Sequence, residues 1–315
     1  MSLPVVAEVV RGDLVESTHH GSVVGIAADG ARVLMLGDVD GAIYPRSAVK
    51  PLQTVGLLRA GWDPDDEEQV ALACASHSGE DEHLVVVRRI LRAAGLDERD
   101  LDNTPDLPLE AAASRELLRG GGEPDRLHQN CSGKHAAMLA TCVTAGWPVT
   151  GYRAPTHPVQ LAVRGAVEDL AGERSAHVTV DGCGAPLFSL SLTGLARAFA
   201  RLATAEPGTP ERRVADAVRR HPHLVGGTGR DVTRLLAGVP GLVAKDGAEG
   251  VQAAALPDGR AVAVKIGDGS GRARAAVVVA ALERLGVDTD PVAELRTVAV
   301  LGHGEPVGQL RATLS

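Results

Sequence analysis

β-type segments lie towards both ends of this chain with a long helical stretch between them, an order that few folds accommodate. Ser22 to Ala28 and Arg32 to Gly37, joined at Asp29-Gly30, read as a β-hairpin. A helix follows from about Ser47 to Arg59, with Pro51 confining Lys50 to its first turn. Helical patterns continue at about 64–74, 81–94, 109–119, 132–145 and 157–170. Val178 to Val180 reads as a short strand, and helices resume at about 191–204, 209–220 and 229–237. Leu242 to Ala244 is a strand ending at Lys245. Val251 to Leu256 and Arg260 to Ile266 form a second hairpin around Pro257-Asp258-Gly259. A helix of about 270–285 and a strand near Gln309 to Thr313 complete the chain. No internal repeat or low-complexity linker divides it. The order predicts an α+β fold over residues 1–315 as a single unit: a mainly antiparallel sheet from both chain ends (about 1–60 and 176–315) with a helical subdomain (about 60–175) inserted.

Two strings then fall at the junction of these portions, where ligand pockets prefer to form. One is Arg46-Ser47-Ala48-Val49-Lys50, a Ser-x-x-Lys; the other is Lys245-Asp246-Gly247, a Lys-x-Gly. A serine hydroxyl is a poor nucleophile until a neighbouring base takes its proton. Positions three apart share one helix face, so the Lys50 amine can reach Ser47. A lysine acts as a base only when neutral, which burial or a nearby cation such as Lys245 would favour. Alone, Ser-x-x-Lys also describes a helix-capping serine beside a solvated lysine. Joined to Lys-x-Gly, it approaches the signature of class A β-lactamases and penicillin-binding proteins, with Asp246 where that signature has Thr. Covalent acyl transfer without histidine is the chemistry such a set can perform.

Composition excludes other classes. Only 2% of residues are aromatic, against the stacking surfaces that hold single-stranded nucleic acid. Net charge is −8 with no strongly basic block, against phosphate-backbone binding. No apolar run approaches bilayer length, and the stretch Leu3 to Ala7 is short, lacks a basic head and is closed by Glu8. The expectation is a cytoplasmic protein that binds neither nucleic acid nor membrane. Its four cysteines are then thiols. Cys74 and Cys142 sit in apolar helical patterns as core residues, whereas Cys131 and Cys183 lie at breaks between elements, flanked by polar residues and glycine. By residue chemistry these two are structural thiols or an oxidation-sensing pair.

Ser76-His77-Ser78-Gly79-Glu80 follows one helical pattern, and Asn130-Cys131-Ser132-Gly133-Lys134-His135 opens another. Both read either as ordinary caps or as free N–H groups that hold an oxyanion. Gly267-Asp268-Gly269-Ser270-Gly271 lacks the spacing of a phosphate loop and reads as a turn. His19-His20 and His221-x-His223 have no partner cluster in sequence and read as solvated loop residues; Arg212-Arg213 and Arg219-Arg220 read as one exposed helix face.

In chain order, Arg46-Ser47-Ala48-Val49-Lys50-Pro51, Ala75-Ser76-His77-Ser78, Asn130 to His135, Asp181-Gly182-Cys183-Gly184, Lys245-x-Gly247 and Val264-Lys265-Ile266-x-Asp268-Gly269 resemble the L-asparaginase II family of the rhizobial type, the class 3 asparaginases. The Asn-Cys-Ser-Gly-Lys-His string is the most specific part, and the likeness spans nearly the whole chain. The chain looks shorter than the rhizobial enzymes, chiefly between Cys183 and Lys245. The resemblance implies a serine β-lactamase/glutaminase-like fold, hydrolysis of L-asparagine to aspartate and ammonia, and a homodimer. It implies two Ser–Lys pairs, Ser47 with Lys50 and Ser76 with Lys245. It also implies a zinc ion held by Cys131, Lys134 and Cys183, and substrate contacts at Arg46, His135, Asp181 and Gly247. Ser47 would attack the side-chain amide with Lys50 as base, while Ser76 and Lys245 relay protons. The rival readings are a glutaminase or β-lactam-type hydrolase, and a non-catalytic sensor of amide ligands. Missing export features speak against β-lactams, and the intact Ser47, Lys50, Ser76 and Lys245 speak against a sensor.

Overall fold

The structure, a computed structural model, describes residues 3–314. Ten strands form: β1 (Val5–Arg11), β2 (Leu14–Ile26), β3 (Arg32–Leu36), β4 (Val178–Val180), β5 (Pro186–Phe188), β6 (Val243–Gly247), β7 (Val251–Ala255), β8 (Ala261–Ile266), β9 (Thr297–Gly302) and β10 (Glu305–Ala312). Eleven α-helices accompany them: α1 (Lys50–Arg59), α2 (Glu67–Ala73), α3 (Asp81–Ala93), α4 (Ala111–Arg119), α5 (Ser132–Thr144), α6 (Pro158–Ala171), α7 (Leu192–Ala203), α8 (Pro210–Arg220), α9 (Pro222–Val225), α10 (Asp231–Gly238) and α11 (Arg274–Arg284).

Eight strands make one antiparallel sheet in the order β6-β7-β8-β2-β1-β10-β9, with β3 pairing the far half of β2. The long β2 changes partner along its length: its first half pairs β1, while its second half lies between β8 and β3. The change falls at Gly21, where a Cβ would sit 2.5 Å from the Lys265 carbonyl oxygen. Both chain ends thus enter one sheet, as the element order predicts, and β4 with β5 forms a separate two-stranded ribbon.

Side chains alternate faces along a strand, yet β7 is buried at every position and β8 at all but Lys265. Both faces of this part of the sheet are therefore covered, and α7 and α11 each pack on β7 and β8. Between Arg59 and Val178 the regular structure is helical, built by α2 to α6 with one short 3₁₀ turn at Glu98–Asp100. The starts follow capping chemistry: Asp66, Ser191 and Thr209 accept the N–H groups of Gln69, Gly194 and Arg212. Helix α1 is buried from Lys50 to Leu57 and packs against α5, α6 and α8. One apolar core runs from Val6 in β1 to Leu310 in β10 and through these helices; Cys131, Cys183 and Ala185 form a small second cluster. Among the described residues, no helix is long and apolar enough to cross a membrane.

The structure extends the sequence reading at the N-terminus. β1 and the first half of β2 form despite Glu8, because Arg311 of the neighbouring β10 lies opposite it and donates to its carboxylate at 2.7 Å. Strands β5 and β9 and the short helix α9 carry no strong local pattern and emerge only with their partners. His19 is not a solvated loop residue: it is buried in β2, with Nδ1 2.7 Å from Asp268 and Arg272 donating to Nε2 at 2.9 Å.

Candidate active site

Ser47 lies in a 3₁₀ turn, Arg46–Val49, that runs directly into α1. The Lys50 N–H reaches the Ser47 carbonyl, and in 3₁₀ geometry positions three apart eclipse. The turn therefore stacks Ser47 and Lys50 on one side, although Lys50 is helical (φ −56°, ψ −39°) in spite of the following proline. Arg46 has φ 51°, a left-handed conformation costly for a residue with a Cβ. Its side chain is tethered by Nε–H donation to Asp181 Oδ1 at 2.7 Å.

Lys50 is almost fully buried, and its amine donates to the Ser76 hydroxyl at 3.1 Å and to the Ala75 carbonyl at 2.5 Å. The lysine of the Ser-x-x-Lys string thus holds the serine of the second string. Among the described residues, Ser47 Oγ has no hydrogen bond, and Ser47 is partly exposed. The Ser76 segment is fixed from both sides. Its N–H donates to Val225 and its carbonyl accepts from Arg230, while the His77 N–H donates to Asn130.

Lys245 comes from β6, fully buried. Its amine does not reach Ser76 by a hydrogen bond; it donates to the Asp246 carbonyl at 2.7 Å and to Asp246 Oδ1 at 2.5 Å. Burial and the charge of Lys50 bring Lys245 down to about 8 against the resistance of Asp246. Burial would raise Asp246, but Lys245, Arg274 and Arg230 together hold it well below the usual carboxylate range. Arg230 donates to Asp246 Oδ2 at 2.8 Å, and Arg274 lies 3.7 Å from the same oxygen. Gly247 is required by contact: a Cβ there would stand 2.6 Å from the Pro45 carbonyl and 3.0 Å from the Ala48 nitrogen. Only glycine lets β6 lie this close to the Ser47 turn.

The Asn130 to His135 string enters through α5. A Cβ on Gly133 would meet the Leu72 carbonyl at 2.6 Å, so glycine seats α5 directly on α2. His135 is buried, and its Nδ1 is 2.7 Å from the Tyr152 hydroxyl. The Tyr152 hydroxyl accepts the Asp102 N–H, and the acceptor within reach of its own proton is His135 Nδ1, an arrangement in which Nε2 carries the imidazole proton. Nε2 is buried without a partner among the described residues. Burial and the Lys134 charge keep this imidazole neutral.

Cys131, Lys134 and Cys183 converge from α5 and the loop after β4. Lys134 Nζ is 3.3 Å from Cys183 Sγ, and the Cys131 thiol contacts Asn130 Oδ1 at 3.1 Å and the Cys183 sulfur. The neighbouring Cys131 thiol draws Cys183 down to about 5 against the pull of burial, with help from Lys134. The nearby Cys183 sulfur and burial push Cys131 up to about 12. Burial would lower Lys134, but the two sulfurs and Asp181 hold it above its ordinary value. Two thiols and an amine gathered in a buried cluster fit a thiolate-preferring metal, once Cys131 and Lys134 release their protons.

Every residue expected at the site lies on one of five converging segments: the Arg46 turn, the irregular segment between α2 and α3, the start of α5, the loop after β4, and β6. The arrangement brings together Ser76 with Lys50, Arg46 with Asp181, and the two cysteines with Lys134. Sequence reasoning missed Tyr152, Arg230 and Arg274. Each acts on a site residue from a distant part of the chain, and no local pattern marks it.

A protein-family model described as L-asparaginase II matches residues 7–312. No curated protein matches the chain. Among solved structures, Mglu in its native form aligns at 17% identity with a TM-score of 0.45, covering 86% of this chain and 66% of its own. This chain thus spans just under two thirds of Mglu. A β-lactamase from Mycobacterium bovis aligns at 14% identity with a TM-score of 0.43, covering 90% of this chain and 96% of its own. With its family match running across nearly all of its length, the chain belongs to the L-asparaginase II family of amidohydrolases.

Proposed function

We propose that this protein hydrolyses L-asparagine to L-aspartate and ammonia through an acyl-enzyme. The observation that carries the reading is a buried lysine amine on a serine hydroxyl, Lys50 on Ser76 at 3.1 Å, beside the partly exposed Ser47. Ser47 Oγ bonds to the side-chain carbonyl carbon of the substrate, and its proton passes to neutral Lys50, with Ser76 as the relay that Lys50 already contacts. The C–N bond breaks, and the amide nitrogen takes that proton and leaves as ammonia. Water then adds to the ester carbon and gives a proton to Lys50. The Ser47 Oγ–C bond breaks, Ser47 regains its proton, and aspartate departs. Lys50 and Lys245 repel each other, which favours one neutral amine in the pair.

Arg46 and the unpartnered His135 Nε2–H are suited to the substrate's carboxylate and carbonyl oxygens, while Asp181 suits its ammonium group. Cys131, Lys134 and Cys183 would hold a zinc ion, which when bound supplies a fixed positive charge that orients substrate. The acyl transfer above uses only the serines and lysines.

The Lys50–Ser76 hydrogen bond favours a second reading, in which Ser76 attacks and Ser47 relays. Ammonia release from asparagine, run beside glutamine, tests the reaction. Absence of release from asparagine overturns the proposal. A diazoketone analogue of asparagine, followed by peptide mass spectrometry, identifies the nucleophile: an adduct on Ser47 supports the first assignment, and one on Ser76 the second.

A further inference from the structure

Glu80, His83 and His223 cluster outside the site described above, and neither the proposed acyl transfer nor the cysteine cluster uses them. Glu80 immediately precedes α3, and His83 lies one turn in, on the same face. His223 comes from α9, far along the chain. One donor atom from each of the three lies within 4.8 Å of the others. His83 is fully buried, and its ring nitrogens have different surroundings. Nε2 is 3.1 Å from the His223 carbonyl oxygen, so Nε2 carries the proton. Nδ1 keeps its lone pair and is buried without a hydrogen-bond partner among the described residues. A carbonyl on one nitrogen and a free lone pair on the other is how metal-ligating histidines are held.

The carboxylate is oriented in the same manner. Glu80 accepts the Thr228 N–H at 2.8 Å and the Thr228 hydroxyl at 2.6 Å. Glu82 adds a further carboxylate oxygen 3.3 Å from His223 Nε2. A cleft of about 540 Å³, lined in part by Glu82, Val86 and His223, opens beside the cluster and offers an entry path. The His223 side chain is 35% exposed and free to close the remaining distance to a shared ion.

We propose that Glu80, His83 and His223 form a second metal site, for a divalent ion of the zinc class. Two imidazoles and a carboxylate are a borderline donor set suited to such an ion, with a position left for water. The ion would join the first turn of α3 to α9. Those elements flank Ser76: the chain runs from Ser76 into α3, and the Ser76 N–H donates to Val225 at the end of α9. Its role is to brace the Ser76 segment. It shares no residue with the Cys131, Lys134 and Cys183 cluster.

The full-length protein is stripped with chelator, reloaded with zinc, desalted and assayed for metal, beside His223→Ala and His223→Gln. His223 is partly exposed, so both variants should keep the wild-type circular dichroism spectrum. The wild type should hold about one zinc per chain more than either variant, whatever the cysteine cluster contributes. A Cys183→Ser variant should retain the equivalent that depends on His223. Cobalt in that equivalent should lack the charge-transfer absorption of thiolate ligation. Equal zinc content in wild type and both His223 variants overturns the proposal.

Discussion

In the proposed reaction a small number of side chains carry the chemistry, and their environments suit them to it. Ser47 is the serine left without a hydrogen bond, and Ser76 is the serine held by Lys50. Ser47→Ala should reduce kcat by at least about 10³-fold with the fold intact, as loss of a nucleophile does. Ser76→Ala should cost less if Ser76 only relays, and the steady-state ammonia assay ranks the two. Lys245 sits near 8, so its neutral fraction grows as pH rises through that value. Lys245→Met removes the cation beside the proposed base Lys50, so the alkaline-rising limb of the activity profile should move to higher pH in that variant. An optimum near about pH 5 would count against lysine as the base. At the cysteines, purified protein made with added zinc should carry about one ion that depends on Cys183. Cys183→Ser should weaken asparagine binding, seen as a raised KM, more than it lowers kcat. Full activity and unchanged metal content in that variant would remove zinc from the site.

Elements place these groups through close backbone approaches. The 3₁₀ turn before α1 aligns Ser47 over Lys50, and β6 lies against that turn because Gly247 has no side chain. Gly247→Ala would put a methyl 2.6 Å from the Pro45 carbonyl and push the strand away. A displacement of about 1 Å at reacting groups can cost on the order of 10²-fold, so kcat should fall by that order while the far-ultraviolet spectrum stays unchanged. Gly133 works in the same way for α5 on α2. The positive φ of Arg46 is a local strain, held by the tether to Asp181.

Over the whole molecule, the sheet is assembled from both termini, and the site forms where it meets the inserted helices. The buried Asp246 gathers three cations beside it: it binds Lys245 on its own strand, Arg230 before α10 and Arg274 at the start of α11, and Arg230 in turn donates to the Ser76 carbonyl of the inserted portion. Asp246→Asn would leave three cations without their shared anion. Removing one partner of a buried ion pair costs about 3–5 kcal/mol, so urea unfolding at neutral pH should show a loss of that order. The native carboxyl is held below its unfolded value, so its stabilisation is complete above the unfolded range near about 3.9 and is lost as pH falls below it. Wild type should therefore lose stability in that acid range more steeply than the variant.

Helices, hairpins and the order of motifs were legible in the chain because they rest on local chemistry. Alternation, capping residues and turn glycines act within a few positions of one another, and they mark α2 to α8, β3, β7 and β8 within a few residues. The candidate residues were legible too, since serine, lysine and cysteine strings are compact. Their partners were not. That Lys50 grips Ser76, that Arg230 and Arg274 gather on Asp246, and that Tyr152 sets the proton of His135 depend on contacts between segments separated in sequence. Histidines read as solvated, His19 and His223, gained carboxylate neighbours only on folding. Local patterns specify backbone conformation, whereas protonation and pairing follow from burial and from which charges the fold brings within a few ångströms.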